Sequence, residues 1–185
     1  MPNNIINASS SGSGGLITTA ADSGTLELQS NGTTIATISS TGLQQNVGAP
    51  AFSAYQSTSQ TGIANSTWTK QTYDTEEYDT NSNFASSRFT PTVAGYYLFT
   101  ASVLSDTLMS GRLFCALYKN GTVFKQGAGV QSSSARLASI LSAVAYANGS
   151  TDYFELYAFS DAGVTWITNG GFSPNYFQAS MIRSA

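Results

Sequence analysis

The stretch from Arg88 to Val103, RFTPTVAGYYLFTASV, constrains the fold of this chain more than any other. Pro91 has no backbone N–H and disfavours a helical conformation in the residue before it, so we expect a strand to begin after it. From Gly95 onward β-forming residues dominate, and apolar residues occupy both alternating sets of positions. A strand that is apolar on both faces needs a cover on each, and we expect the second cover to be another subunit.

Turn signals divide the rest of the chain into short β-rich runs. Asn31-Gly32, Asn120-Gly121 and Asn148-Gly149 each separate two such runs, and Asn-Gly is a strong hairpin signal because both residues accept positive φ. A two-residue turn at the first of these would place Leu28 opposite Ile35. With no convincing helical pattern, short strands at regular intervals predict an all-β sandwich or barrel.

These segments resemble a known superfamily. RFTPTVAGYYLFTASV is similar to the signature segment of the complement component 1q (C1q) and tumour necrosis factor (TNF) superfamily, in which a phenylalanine, a proline, Ala-Gly and an aromatic-rich strand recur. Four further segments match in order: PAFSAY at 50–55, LYKNG at 117–121, ANGSTDYFELYAF at 147–159 and YFQASMI at 176–182. The resemblance implies a ten-stranded jelly-roll β-sandwich that assembles as a compact trimer.

The chain divides into an arm and a head at the linker around Gly48 and Pro50. We assign residues 50–185 to the jelly-roll, trimerising head, and residues 1–49 to an extended N-terminal arm that contains the first β-hairpin. An isolated hairpin is only marginally stable in water, so the arm needs a partner surface or its own symmetry copies. The expected anchors on a capsid or other partner are the apolar residues of the arm, namely Ile5, Ile6, Leu16, Ile17, Leu28 and Ile35.

The head has more apolar strand faces than one sandwich can bury. The runs at 113–118 and 153–159 repeat the two-sided pattern, and a closed ring of subunits supplies a further buried surface. We predict that Tyr97, Phe99, Tyr157 and Phe159 line the trimer interface. The alternative is that the tyrosines lie on the solvent-exposed exterior. The alternation of residues along a strand does not by itself show which strand face is the core.

Composition argues against several functions. The sequence has no histidine, which removes the commonest general base and metal ligand. A net charge of −3 argues against nucleic acid, and no run reaches the ~18 apolar residues of a membrane helix. Cys115, the single cysteine, lies in the apolar run LFCALY and is expected to be buried. We therefore predict neither an enzyme nor a cofactor or metal site, and neither a nucleic-acid nor a membrane partner.

One acidic cluster keeps two chemical alternatives open. Asp74, Glu76, Glu77 and Asp79 lie within six residues of one another, and a solvated loop is the expected structure. Oxygen ligands on a flexible loop also suit calcium, although no EF-hand spacing is present. Paired carboxylates can hydrolyse glycosides, but nothing in this segment is expected to raise the pKa of one of them.

The arm suggests a setting for the head. Its GTLELQ, NGTT and TIS segments loosely resemble a Ser/Thr-rich stretch ahead of the head domain in bacteriophage fibre and other virion proteins. We therefore expect a virion structural protein: a homotrimeric capsid decoration (cement) protein on the outer surface of the virion, bound to the major capsid protein or other virion proteins. The alternative is the receptor-binding tip of a tail fibre that recognises host surface glycans. A hairpin arm is short for a shaft at about 3.3 Å per residue, which favours the capsid.

Overall fold

The computed structural model describes residues 49–171 and 174–185, together with the strand segments at 26–30, 32–38 and 44–45. The chain divides into two compact units between Gly48 and Ala49. In the first unit, β1 (Leu26–Ser30), β2 (Thr33–Ile38) and β3 (Gln44–Gln45) form an antiparallel sheet in that order.

The predicted first hairpin is therefore present, but its register differs from the prediction. Leu28 pairs with Ala36 rather than with Ile35. A β-bulge causes the shift, because Ile35 is an extra residue on β2 between the pairs that Leu28 and Gln29 make. Ile5, Ile6, Leu16 and Ile17 lie outside the described residues, and the anchoring role of all six arm residues stays a prediction.

The second unit is a sandwich of two sheets, and its described residues form no helix. The strands are β4 (Ala51–Tyr55), β5 (Thr69–Lys70), β6 (Thr75–Asp79), β7 (Phe84–Ala85), β8 (Arg88–Phe89), β9 (Gly95–Leu104), β10 (Met109–Lys119), β11 (Thr122–Gln126), β12 (Val130–Ala135), β13 (Ala138–Ala147), β14 (Phe154–Ser160) and β15 (Tyr176–Ser184). One sheet has five strands in the order β13-β9-β15-β4-β6. The other has seven, with the path β11-β10-β14-β8-β7, β12 beside β10 and β5 beside β14. The predicted all-β sandwich is confirmed.

An aromatic cluster joins the two sheets. Phe52 and Phe99 from the five-stranded sheet meet Phe89 and Phe154 from the seven-stranded sheet, and all four are fully buried. The ring centroids of Phe52 and Phe89 are 4.5 Å apart, and those of Phe99 and Phe154 are 4.6 Å apart. Aromatic pairs at this spacing contribute about 0.5–1.5 kcal/mol beyond the burial of their area.

Strand β9 alternates between this core and the outside. Tyr97 and Phe99 are 0% exposed in the single chain, whereas Tyr96 and Leu98 are 43% and 36% exposed. The prediction that Tyr97 and Phe99 line a subunit interface is therefore wrong, because the core of their own sandwich already covers them. The strand is apolar on both faces, as its sequence indicates, but its uncovered face is the opposite one.

The Asn-Gly turns have two different outcomes. Asn120 and Gly121 have φ of 54° and 79° and join β10 to β11, so this hairpin is confirmed. The hairpin predicted at Asn148-Gly149 is wrong, because β13 pairs with β9 in one sheet and β14 with β10 in the other. Here the Asn148 side chain accepts the backbone N–H of Asp152 at 3.0 Å, and the turn crosses between the sheets.

An ion triad around one buried carboxylate ties three strands of the seven-stranded sheet together. Glu155 on β14 is 3% exposed, and its Oε1 accepts hydrogen bonds from Lys70 Nζ on β5 at 2.7 Å and from Arg88 Nε on β8 at 2.8 Å. Burial by itself raises the pKa of the Glu155 carboxyl, but the two charged donors outweigh it and hold that pKa below its usual range.

The turn at Gly149 offers a matched pair of substitutions. Gly149 and Gly163 have φ of 71° and 76°, but a Cβ at Gly149 would lie 2.4 Å from the backbone nitrogen of Ala94, whereas a Cβ at Gly163 would meet nothing within 4 Å. We expect Gly163→Ala to lower the free energy of unfolding by about 1–2 kcal/mol, from its left-handed backbone alone. Gly149→Ala should lower it by about 2–5 kcal/mol, because steric overlap adds to that penalty. Urea denaturation measures both, and equal losses would contradict the packing of Gly149 on Ala94.

The triad predicts a pH dependence of stability. Because the folded pKa of Glu155 lies below the ordinary value of 4.5, its contribution is present above that value and is lost as the pH falls through the folded pKa. At neutral pH we expect Glu155→Gln to lower the free energy of unfolding by about 1–3 kcal/mol. On acidification past 4.5 the difference from wild type should shrink, as urea denaturation at each pH will show. The exposed Glu76→Gln makes the same chemical change as a control, and an equal loss there would contradict the role of Glu155.

Candidate functional site

The outward face of the five-stranded sheet carries an uncovered apolar surface at one end. Its members lie on β9, β13 and β15 and are between 36% and 54% exposed: Tyr96, Leu98, Val144, Tyr146 and Ile182, together called the apolar patch. Tyr96 pairs with Tyr146 and Leu98 with Val144 across the ladder, and the two tyrosine rings are 5.5 Å apart. A cleft of about 440 Å³ lies between Tyr96, Val144 and Ile182. Clustered exposed apolar side chains of this kind mark an interaction surface.

A hydrogen-bonded polar row borders the apolar patch on the same face. Gln178 Nε2 donates to Thr100 Oγ1 at 2.7 Å. The Ser53 hydroxyl lies 3.2 Å from Gln178 Oε1 and 2.5 Å from Glu77 Oε2. The face therefore combines an apolar area with oriented polar groups, which is the make-up of a specific protein interface rather than of a core.

Tyr157 and Phe159, the other two predicted interface residues, lie on the other sheet. They occupy the outward positions of β14, in the seven-stranded sheet, and both are half-buried. Their ring neighbours are Tyr118, 3.9 Å from Tyr157, and Trp68 and Phe114, at 5.4 Å and 6.2 Å from Phe159. The four predicted residues thus do not share one surface, so the prediction that they form a single interface is wrong.

The acidic segment forms an edge strand, β6, rather than the expected loop. Its carboxylates have separate structural partners. Asp74 Oδ1 accepts the backbone N–H of Ser57 at 2.6 Å, and Asp79 Oδ2 accepts that of Phe84 at 2.7 Å. Among the described residues, no group of three or more acidic or cysteine side chains is placed to hold a metal ion.

Cys115 is fully buried, as its sequence context predicts. The Ser139 hydroxyl lies 3.3 Å from its sulfur, and burial raises the pKa of the Cys115 thiol. A protonated, enclosed thiol is a poor nucleophile, so the position of Cys115 fits a packing role in the core.

The described part of the chain has no helix long and apolar enough to cross a bilayer.

A cross-strand size pattern identifies the inward face of β9, and the sequence analysis missed it. Ala143 pairs with Phe99 and Ala145 with Tyr97, so that small side chains accommodate the large rings inside the sandwich. On the outward face, Tyr146 pairs with Tyr96, and both are large. Large-with-small pairing is typical of a packed interior, and this signal was available in the alternation of β13.

Comparisons with known proteins give the fold. No protein-family model and no curated protein matches the sequence. Among solved structures, the globular domain of zebrafish complement 1qA is similar at 22% identity and a TM-score of 0.57, covering 74% of this chain and 99% of that one. Murine APRIL matches at 8% identity and a TM-score of 0.55, over 72% and 99% of the two chains. Eiger TNF from S. frugiperda matches at 8% and 0.56, over 74% and 94%. The chain therefore has the jelly-roll fold of C1q- and TNF-like domains.

Proposed function

We propose that this protein is a structural and binding module without catalytic activity, whose head self-associates as a trimer through the apolar patch. The single observation that carries the proposal is that β9, β13 and β15 leave Tyr96, Leu98, Val144, Tyr146 and Ile182 uncovered in one chain. Burying such side chains stabilises association by about 25 cal/mol per Å² of apolar area removed from water.

A second copy of this chain is the occupant that fits the apolar patch best. The resemblance of RFTPTVAGYYLFTASV to the C1q and TNF superfamily implies a compact trimer, and the fold agrees with that resemblance. The bordering polar row supports a defined register, because Gln178 and Glu77, which the buried Ser53 hydroxyl holds in place, would lose water on docking and need oriented partners. Only 9% of residues are charged, so little like-charge repulsion opposes the approach of copies.

We propose further that the trimer is a capsid decoration protein on the outer surface of a phage virion. Two features support this setting: the loose resemblance of the arm to segments of virion proteins, and the division of the chain into two compact units, which separates anchor from head. A trimer presents three arms, so that three weak contacts with the major capsid protein or other virion proteins act together. The alternative, the receptor-binding tip of a tail fibre, uses the same trimer but places its ligand on the head.

The self-association proposal predicts opposite results for neighbouring residues of β9. Leu98→Asp should leave the head folded and convert the trimer to monomer, because each copy would bury an unpaired carboxylate. A loss of about 3 kcal/mol weakens association ~100-fold. Phe99→Asp should instead unfold the head, since Phe99 is 0% exposed in a single chain. Light scattering gives the mass, and circular dichroism gives the folded state.

Val123→Asp is the matched control for this test. Val123 is 45% exposed on β11 in the other sheet, and its substitution introduces the same charge outside the apolar patch. We expect it to leave the trimer intact. A wild-type monomer, or a Leu98→Asp variant that keeps its trimeric mass, would contradict the proposed interface.

The capsid proposal predicts that binding depends on the arm. Purified full-length protein mixed with capsids that lack it should occupy symmetric surface positions, visible by electron cryomicroscopy. Deletion of residues 1–47 should abolish this binding while the head keeps its trimeric mass, because the expected anchors are removed. If the deleted protein still bound capsids, the arm mechanism would be wrong. If the full-length protein instead coated host cells and blocked infection, the tail-fibre alternative would replace it.

A further inference from the structure

The seven-stranded sheet carries a second unusual surface on its outward face. Five half-buried aromatic side chains are linked by successive ring contacts, and we call them the aromatic row: Phe114, Phe159, Trp68, Tyr118 and Tyr157. In that order, successive ring centroids are 6.2, 5.4, 6.2 and 3.9 Å apart. From Phe114 to Tyr118 the strand alone spans about 14 Å at ~3.4 Å per residue. The aromatic row is therefore longer than one hexose ring.

A polar cleft begins where the aromatic row ends. It has a volume of about 510 Å³, and its lining includes Lys70, Ser82, Asn83, Arg88, Thr90 and Thr92. Lys70 connects the two features, because it lines the cleft and pairs with Tyr157 of the aromatic row in the β5–β14 ladder. Hydroxyl, amide and cationic groups thus continue directly from the aromatic surface.

Arg88 is held in this cleft as a prepared hydrogen-bond donor. Its Nε donates to the buried carboxylate of Glu155 at 2.8 Å, and its guanidinium lies 3.9 Å from the ring centroid of Tyr153. Within the described residues its two terminal nitrogens have no hydrogen-bond partner. These contacts fix the plane of the guanidinium and leave one edge available, which is the geometry that binds a carboxylate in a bidentate manner.

The charge of the cleft selects an anionic ligand. Lys70 and Arg88 share the single carboxylate of Glu155, so the three groups together carry one excess positive charge. At the other end of the aromatic row, Arg112 is neutralised by its ion pair with Asp161. Of these two ends, the cleft end therefore carries the uncompensated charge.

From these contacts we infer that the aromatic row and the cleft together bind an acidic oligosaccharide, a chain of sugar rings that carries a carboxylate. The apolar faces of successive sugar rings would lie on the aromatic row, the hydroxyl groups would meet the Ser82, Thr90 and Thr92 hydroxyls of the cleft, and the carboxylate would bind Arg88. Aromatic side chains with a few oriented polar groups form a common type of ligand site. The inference uses the sheet opposite the apolar patch and does not depend on the proposed trimer or its capsid location.

The test uses full-length protein and pairs of ligands in which esterification removes the charge of the carboxylate. An oligogalacturonate and a sialylated trisaccharide, each with its methyl ester as the neutral counterpart, are titrated by calorimetry and by NMR. We expect saturable binding of at least one acid, a Kd at least ~10-fold weaker for its ester, in line with the loss of one charge-assisted contact, and weaker binding of the acid as salt is added. No saturable binding of either acid, or equal binding of acid and ester, would overturn the inference.

Substitutions separate the two parts of the site. Trp68→Ala should weaken both acid and ester at least ~10-fold, because it removes a stacking surface. Arg88→Lys keeps the pairing charge for Glu155 but lacks the planar fork, so it should weaken the acid alone. Ile140→Ala, on β13 in the other sheet, is the control: Ile140 is 61% exposed, and its substitution should change neither. Binding that none of these changes affects would place the ligand elsewhere, and a changed oligomeric mass in Trp68→Ala would show that a second copy occupies the row.

Discussion

The structure depends on the contact between the two sheets through four buried phenylalanines. Phe52 and Phe99 on one sheet lie against Phe89 and Phe154 on the other, and this contact determines which face of every strand is inside. Once Phe99 points inward, the pleat of β9 sends Tyr96 and Leu98 outward. The position of the apolar patch is thus a geometric consequence of the core, and a core substitution that moved β9 by one residue would exchange the two faces.

Large aromatic residues lie on the outward faces of both sheets, but the two outer surfaces differ. The five-stranded sheet presents a mixed aromatic and aliphatic patch beside a polar row, whereas the seven-stranded sheet presents five aromatic rings linked by contacts beside a cationic cleft. The first surface suits an identical copy, because its polar row is oriented by hydrogen bonds and carries a single charge, that of Glu77. The second suits a ligand that is apolar on its faces and polar at its rim. A sandwich can hold both because each sheet has one outward face that its own core leaves free.

Much of the fold was predictable from local sequence, but features that depend on distant residues were not. The strand after Pro91, the turn at Asn120-Gly121 and the all-β class follow from neighbouring residues. Asn148-Gly149 is also a turn, yet local chemistry does not reveal that the strands on either side join different sheets. The inward direction of Phe99 depended on alanines that lie more than forty positions away in β13, and the bulge at Ile35 has no signal in the residues that surround it.

The candidate sites depend even more on contacts between residues that are distant in sequence. In the sequence, Glu155 is a charged residue within an apolar strand. Only the fold brings it to Lys70, 85 positions away, and to Arg88, 67 positions away. That triad has two consequences. A buried carboxylate costs free energy unless it is paired, so Glu155 needs its cationic partners for stability. Because Glu155 binds Arg88 through Nε, the terminal nitrogens of Arg88 remain directed at the cleft. The residue that stabilises three strands therefore also prepares the donor for an acidic ligand, so stability and binding are expected to change together when Glu155 is altered.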